Sequence, residues 1–145
     1  MSGKPSLTVV TLGVRDFHAS LTFYEALGFE RKVRATGDQV AFLDAGGTVL
    51  ALWHWDLLAD DEALPREPVS VYRASSLAWN CRTPDEVDDV FARAVGAGAK
   101  PLRQPGKTDY GGYRGYFADP DGHVWEVVQA PGFDFTDDGR LILPD

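Results

Sequence analysis

One stretch of this chain occurs twice, and that repeat narrows the fold more than any other feature. Residues 42–52, FLDAGGTVLAL, lay over residues 117–127, FADPDGHVWEV. Phe42 meets Phe117, Asp44 meets Asp119, Gly47 meets Gly122 and Ala51 meets Glu126. The first strands align as well, with Val9 against Ser76 and Val14 against Cys81. Two copies are too few for a solenoid, which buries its core only by stacking several units. They predict instead a pseudo-twofold pair of modules, each sheet covering one side of a shared cleft.

Each copy carries the same order of local signals. Leu7 to Val14 is rich in β-branched residues and reads as a strand. Asp16 is a helix N-cap candidate, Phe17, Leu21, Tyr24 and Leu27 recur at helical spacing, and Gly28 suits the left-handed residue that ends a helix. Phe29–Arg34, Gln39–Asp44 and Thr48–His54 read as three strands broken by Thr36-Gly37-Asp38 and Ala45-Gly46-Gly47. The second copy begins with a strand over Ser76–Arg82. Thr83-Pro84-Asp85-Glu86 then starts a helix whose apolar stripe is Val87, Val90, Phe91 and Ala94, and Gly96 and Gly98 end it. Strands follow near Lys100–Leu102, Tyr113–Ala118 and His123–Gln129. Each half is β-α-β-β-β, so the fold class is α+β.

The whole chain, 1–145, reads as a single domain: module 1 at about 6–56, a linker at about 57–74, module 2 at about 75–130 and a tail at 131–145. Residues 56–74 are acidic and hold two prolines, which predicts a short helix or turn and then a linker. The tail has Asp138-Gly139 between apolar-rich stretches, a hairpin signal. Its Phe133, Phe135, Leu141 and Leu143 need a covering surface, which favours a homodimer.

A net charge of −8 argues against nucleic acid, whose phosphates need a basic face, and gives weak support to a cationic ligand. The one cysteine, Cys81, excludes an intramolecular disulfide and suits a reducing cytoplasm. No apolar run approaches the roughly 18 residues that span a bilayer, and the stretch from Met1 has no apolar signal region. The expected protein is cytoplasmic, with no membrane partner.

The segments TLGVRDFHASLTFYEALGF, GGTVLALW and GGYRGYFADPDGHVWEV resemble the vicinal oxygen chelate superfamily. That superfamily holds glyoxalase I, extradiol dioxygenases, fosfomycin-resistance enzymes and bleomycin-resistance proteins. The resemblance runs from about Leu7 to Ala130. It implies two βαβββ modules forming a U-shaped mixed-sheet half-barrel, often paired into a homodimer. It also implies four metal-ligand positions, on the first and fourth strands of each module, which carry over to Val9, Ala51, Ser76 and Glu126. Only Glu126 is a competent donor, whereas a divalent ion wants three or four. The chain is therefore similar to a ligand-depleted branch, with no metal or other cofactor expected.

None of the three histidines is placed to replace the missing donors. His18 lies in the first turn of a helix, His54 is out of phase with Ala51 and Trp53, and His123 follows the DPDG turn, where solvent exposure is expected. Gly111-Gly112 lies between strands and not before a helix, so it makes no phosphate loop. No Ser–His–Asp arrangement is supported, and Cys81 is expected in the helical core, where a thiol is inert.

Strand alternation predicts the cleft lining. With Glu126 facing in, Val124 and Val128 do too, together with Val9, Thr11, Gly13, Ala51, Trp53, Ser76, Ala78 and Asn80. Arg114 and Tyr116 face in if Phe117 packs on the helices, and Trp55, Tyr110 and Tyr113 are rim candidates. Trp79 and Trp125 belong to the core. A carboxylate in phase with valines must be paired or hydrogen-bonded, either structurally with a base such as Arg114 or functionally with a ligand. The candidate ligand contacts are Thr11, Trp53, Ser76, Asn80, Tyr113, Arg114 and Tyr116, and Glu126 is the catalytic candidate. The preferred reading is a metal-independent protein that binds a small, partly aromatic molecule, open to a cationic one. The alternative is a metal-independent lyase or isomerase using Glu126 as acid/base, and a metal-dependent glyoxalase or dioxygenase comes third.

Overall fold

A computed structural model describes residues 4–145. Part of the N-terminal stretch read for an export signal, residues 1–3, lies outside the described residues. Module 1 runs β1 (Val9–Val14), α1 (Phe17–Ala26), β2 (Glu30–Lys32), β3 (Val40–Asp44) and β4 (Val49–His54). Module 2 runs β5 (Leu77–Asn80), α3 (Pro84–Gly96), β6 (Lys100–Lys107), β7 (Tyr113–Ala118) and β8 (Val124–Gln129), with α2 (Trp55–Asp61) between them. A small hairpin of β9 (Asp134–Phe135) and β10 (Leu141–Ile142) closes the chain. The sheets have orders β1-β4-β3-β2 and β5-β8-β7-β6, and in each the first strand pairs parallel with the last while the others pair antiparallel. The two four-stranded sheets share one strand order and remain open, as a half-barrel requires.

Both helix starts follow their local signals. Asp16 accepts from the Ala19 amide at 3.0 Å, and Thr83 accepts from the Glu86 amide at 3.2 Å while Glu86 reaches back to the Arg82 amide. Val87, Val90, Phe91 and Ala94 of α3 are all buried. They meet a core that takes Leu12, Val14, Leu50, Leu52, Phe117, Trp125 and Val127 from alternate strand positions.

Three boundaries differ from the sequence expectation, whereas the short helix expected in the acidic segment is present. The strand expected over Phe29–Arg34 stops at Lys32, because Val33 turns left-handed (φ 51°) and opens a short 3₁₀ turn at Arg34–Thr36. The strand expected over Ser76–Arg82 holds ladder pairing only from Leu77 to Asn80. β6 runs to Lys107, well past Leu102, by absorbing two register shifts against β7. The acidic segment forms α2, which crosses the cleft-side end of β1. Gly13 makes this possible, since a Cβ there would lie 2.9 Å from that of Trp55.

The modules are joined through the DPDG turn. Tyr24 of α1 donates to Asp119 Oδ2 at 2.6 Å, and Trp125 Nε1 donates to the Tyr24 hydroxyl at 3.0 Å. Asp119 Oδ1 accepts from the Asp121 and His123 amides, and Asp121 Oδ1 accepts from the Arg15 amide at 2.8 Å. His123, expected in solvent, is instead half-buried: its Nε2 lies 2.7 Å from the Gly13 carbonyl and its Nδ1 lies 2.9 Å from Arg73 Nη1. The carbonyl can only accept and the guanidinium can only donate, so the two contacts match the tautomer with its proton on Nε2.

Burial, and next to it the charge of Asp119, pushes the Asp121 carboxyl above its ordinary 3.8, against the pull of the Arg15 amide. The folded protein therefore holds that proton more tightly than the unfolded chain does. The stability it confers is present at low pH and is lost as pH rises from the ordinary value through the raised one.

The two trailing segments cross over. Arg73, after module 1, donates to the Asp121 carbonyl on the β7–β8 turn of module 2, so a Cβ on Gly122 would lie 3.0 Å from its Nη2. Arg140, after module 2, lies on the β3–β4 turn of module 1, so a Cβ on Gly47 would lie 2.6 Å from its Nε. Both glycines have positive φ, 85° at Gly122 and 113° at Gly47.

Tyr24→Phe removes one hydroxyl and strands a buried carboxyl oxygen and a buried indole N–H. It should cost about 1–3 kcal/mol, read as a lower urea midpoint with an unchanged slope.

Candidate functional site

The face of each sheet opposite the helices forms the cleft. In module 1 the cross-strand rows are Thr11, Ala51, Phe42 and Lys32, then Gly13, Trp53 and Val40. In module 2 they are Ala78, Glu126, Tyr116 and Arg103, then Asn80, Val128, Arg114 and Gly106. Their chain neighbours Leu50, Leu52, Phe117, Trp125 and Val127 fill the core, which sets the direction of both rows.

Glu126 and Tyr116 are direct neighbours across β7 and β8, and the Tyr116 hydroxyl donates to Glu126 Oε2 at 3.1 Å. Burial, reinforced by the charge and hydrogen bond of Glu126, raises the Tyr116 pKa above its ordinary 10.0, with Arg114 opposing. The phenol thus stays protonated at neutral pH and acts as a donor. The base expected as the structural partner of Glu126 is not bonded to it. Arg114 instead lies 6.0 Å from the centre of the Tyr116 ring and makes no ion pair among the described residues. Oε1 of Glu126 has no hydrogen-bond partner among the described residues, so it can accept from a molecule in the cleft.

The other expected contacts divide by position. Trp53 is half-buried on the cleft face beside Gly13 and Val40, Asn80 is half-buried one row beyond Ala78, and Thr11 is exposed. Ser76 is exposed and lies just before β5. Tyr113 is not at the rim: it shares the parity of Gly115 and Phe117, packs on the core, and donates to Asp88 of α3 at 2.8 Å. The bond to Asp88 raises its pKa. Trp55 heads α2, with the Arg15 guanidinium 5.7 Å from its ring. Cys81 is buried, and burial pushes its thiol up to about 11, which makes it a poor nucleophile.

The donor set does not fit the family's divalent ion. Val9 is exposed, Ala51 is buried and carries no donor atom, and Ser76 precedes its strand, which leaves one carboxylate. Among the described residues no three His, Cys, Asp or Glu side chains converge. His54 Nδ1 caps α2 by accepting from the Asp56 amide, and His18 is at the surface, 3.6 Å from Asp38.

A cavity of about 950 Å³ lies elsewhere, along the seam between β1 and β5 and under the tail hairpin, lined in part by Phe29, Trp79, Asn80 and Phe135. Several of its walls, Leu27, Leu50 and Trp125 among them, are core residues. The carboxylate and its phenol stand instead on the face of the module 2 sheet opposite α3. Sequence reasoning missed the joint formed by Tyr24, Asp119 and His123. The one available signal was the alignment of Asp119 with Asp44, which was read for symmetry and not for bonding.

Residues 6–127 match the Glyoxalase/Bleomycin resistance protein/Dioxygenase superfamily. A glyoxalase-related enzyme from Fulvimarina pelagi is 34% identical, with a TM-score of 0.85 over 97% of this chain and 99% of that one. A glyoxalase/bleomycin resistance protein/dioxygenase family enzyme from Burkholderia phytofirmans PsJN shares the fold at 22% identity, with a TM-score of 0.72 over 87% of this chain and 99% of that one. A lactoylglutathione lyase from Agrobacterium tumefaciens does so at 21% identity, with a TM-score of 0.70 over 91% of this chain and 100% of that one. No curated protein matches the chain. The fold and the match over most of its length place the protein in one class, the two-module half-barrels. The chain belongs to the glyoxalase/bleomycin resistance protein/dioxygenase superfamily.

Proposed function

We propose that this protein binds a small, partly aromatic molecule in its cleft without a metal, and that Glu126 anchors the ligand's hydrogen-bond donor or cationic group. The observation that carries the reading is the Glu126–Tyr116 pair, set beside buried Val128 with one carboxylate oxygen unbonded among the described residues. Trp53, half-buried on the equivalent face of the module 1 sheet, offers an aromatic face. An apolar floor with a few polar groups is the usual make-up of a small-molecule site. A second reading, a metal-independent lyase or isomerase with Glu126 as acid/base, draws support from the 34% identical relative described as a glyoxalase-related enzyme. The exposed apolar residues Leu141, Ile142 and Leu143 of the tail support a homodimer.

The naphthalene ring is a suitable probe. Glu126→Gln should weaken 2-naphthylmethylammonium by roughly ten- to hundredfold, the worth of a charge-assisted contact. Trp53→Ala should weaken both that cation and neutral naphthalene-2-carboxamide, because it removes contact area and not charge. Titration by calorimetry, with melting curves as the folding control, checks both; equal affinities for the wild type and both variants would place the site elsewhere. Elemental analysis of purified protein should find no stoichiometric zinc, nickel, iron or manganese. One metal per chain, released by Glu126→Ala, would overturn the metal-free reading. Sedimentation at micromolar concentration should give a dimer, and a species of one 15.9 kDa chain would count against pairing.

A further inference from the structure

A chain with a net charge of −8 gathers three cations at one place. Arg103, Lys107 and Arg114 border a cavity of about 470 Å³ at the end of the module 2 sheet, walled also by Thr108, Asp109 and Tyr110. Among the described residues none of the three basic side chains has a carboxylate within ion-pair reach, although this sequence supplies acidic residues in excess. Like charges held together repel, so the arrangement favours an incoming anion.

The cavity is built into the fold. β6 shifts register between Arg103, which pairs with Tyr116, and Gly106, which pairs with Arg114, so both arginines belong to the cleft-face rows. The loop that follows is pinned by Thr108, whose amide donates to the Gly112 carbonyl at 3.0 Å and whose hydroxyl accepts from the Gly112 amide at 2.8 Å. Gly111 takes a left-handed φ of 84°. Gly112 has no room for a side chain, because a Cβ would lie 2.7 Å from Tyr110 Cε2 and 2.8 Å from the Gln129 carbonyl. The two glycines fold the Tyr110 ring back over its own loop, beside the cations.

The cavity also adjoins the candidate site. Arg114 and Tyr116 occupy alternate positions of β7, about 7 Å apart along the strand. The guanidinium faces the ring whose hydroxyl bonds Glu126. One small molecule can therefore reach both.

We propose that the ligand of this cleft carries an anionic group, a carboxylate, sulfonate or phosphate, seated among Arg103, Lys107 and Arg114 while its donor end meets Glu126. This rests on the reading of the cleft as a small-molecule site, and it adds a second charge of opposite sign to the expected cationic or donor group. Two guanidinium groups suit such an anion, because each offers a planar fork of donors matched to a carboxylate or phosphate.

Naphthalene-2-carboxylate and naphthalene-2-carboxamide, nearly identical in shape, test the subsite by calorimetry. Wild-type protein should bind the acid at least roughly tenfold more tightly than the amide at low salt, the scale of a charge-assisted contact. In the double variant Arg103→Gln/Arg114→Gln the ratio should fall to about one, and 0.5 M sodium chloride should shrink it in the wild type. Inorganic pyrophosphate, which has no ring, should raise the melting temperature of the wild type and not of the double variant. It would do so even if neither naphthalene binds, a result that sinks the aromatic-ligand reading alone and leaves the anion subsite standing. Pyrophosphate stabilisation much above that from the carboxylate identifies a phosphate-bearing ligand, and the reverse order an organic acid. Equal affinities for acid and amide with no pyrophosphate effect, or a ratio that survives in a double variant shown to be folded, would overturn the proposal.

Discussion

The hydroxyl of Tyr24 stands between the two halves of the molecule, donating a hydrogen bond to Asp119 and accepting one from Trp125. Neither sheet pairs with the other through backbone hydrogen bonds, so side chains must hold the two at a fixed angle. Asp119 does part of this, beside a core that both modules share. One oxygen serves the helix of module 1 and the other organises its own turn through two amides. Burial makes the arrangement unforgiving, because a carboxyl shut away from water tolerates no lost partner. The cleft inherits its shape from this joint, since the turn that begins at Asp119 leads straight into the strand that carries Glu126.

Much of the fold was legible because each local signal agreed with the repeat. The stripe at Val87, Val90, Phe91 and Ala94 could face only one way, and alternation along β8 separated Trp125 and Val127 from Glu126. What escaped were features set by long-range packing or by backbone conformation. Nothing in the residue type of Val33 announces a left-handed φ, and the extension of β6 to Lys107 depends on register shifts that only its partner strand imposes. Gly13 was a plain strand glycine until α2 was seen lying on it.

The candidate site was legible by parity and less so by partnership. Alternation put Arg114, Tyr116 and Glu126 on one face, and the register brings them there. It could not say which neighbour would bond the carboxylate, and a charge-pairing argument favoured the arginine over the phenol found beside it. Tyr113 was placed at the rim although it opens the strand Tyr113–Ala118; the alternation that sends Gly115 and Phe117 to the helix side turns it to α3 as well. His123 was misplaced for a related reason, because a residue just past a tight turn is usually solvated unless the other module comes to meet it.

The crossed arginines carry a further consequence. The segment trailing module 1 bonds a turn of module 2 through Arg73, and the segment trailing module 2 lays Arg140 against the equivalent turn of module 1. Each half is thus the clasp for the other, and the relation is reciprocal, as it is between subunits across a twofold axis. Two identical half-length chains could satisfy the same geometry with a single kind of clasp. A fused chain needs only to keep both, and each half is then free to change its cleft face on its own. Here one half has a carboxylate at the position where the other has an alanine, so the cleft is lopsided even though its scaffold is symmetric.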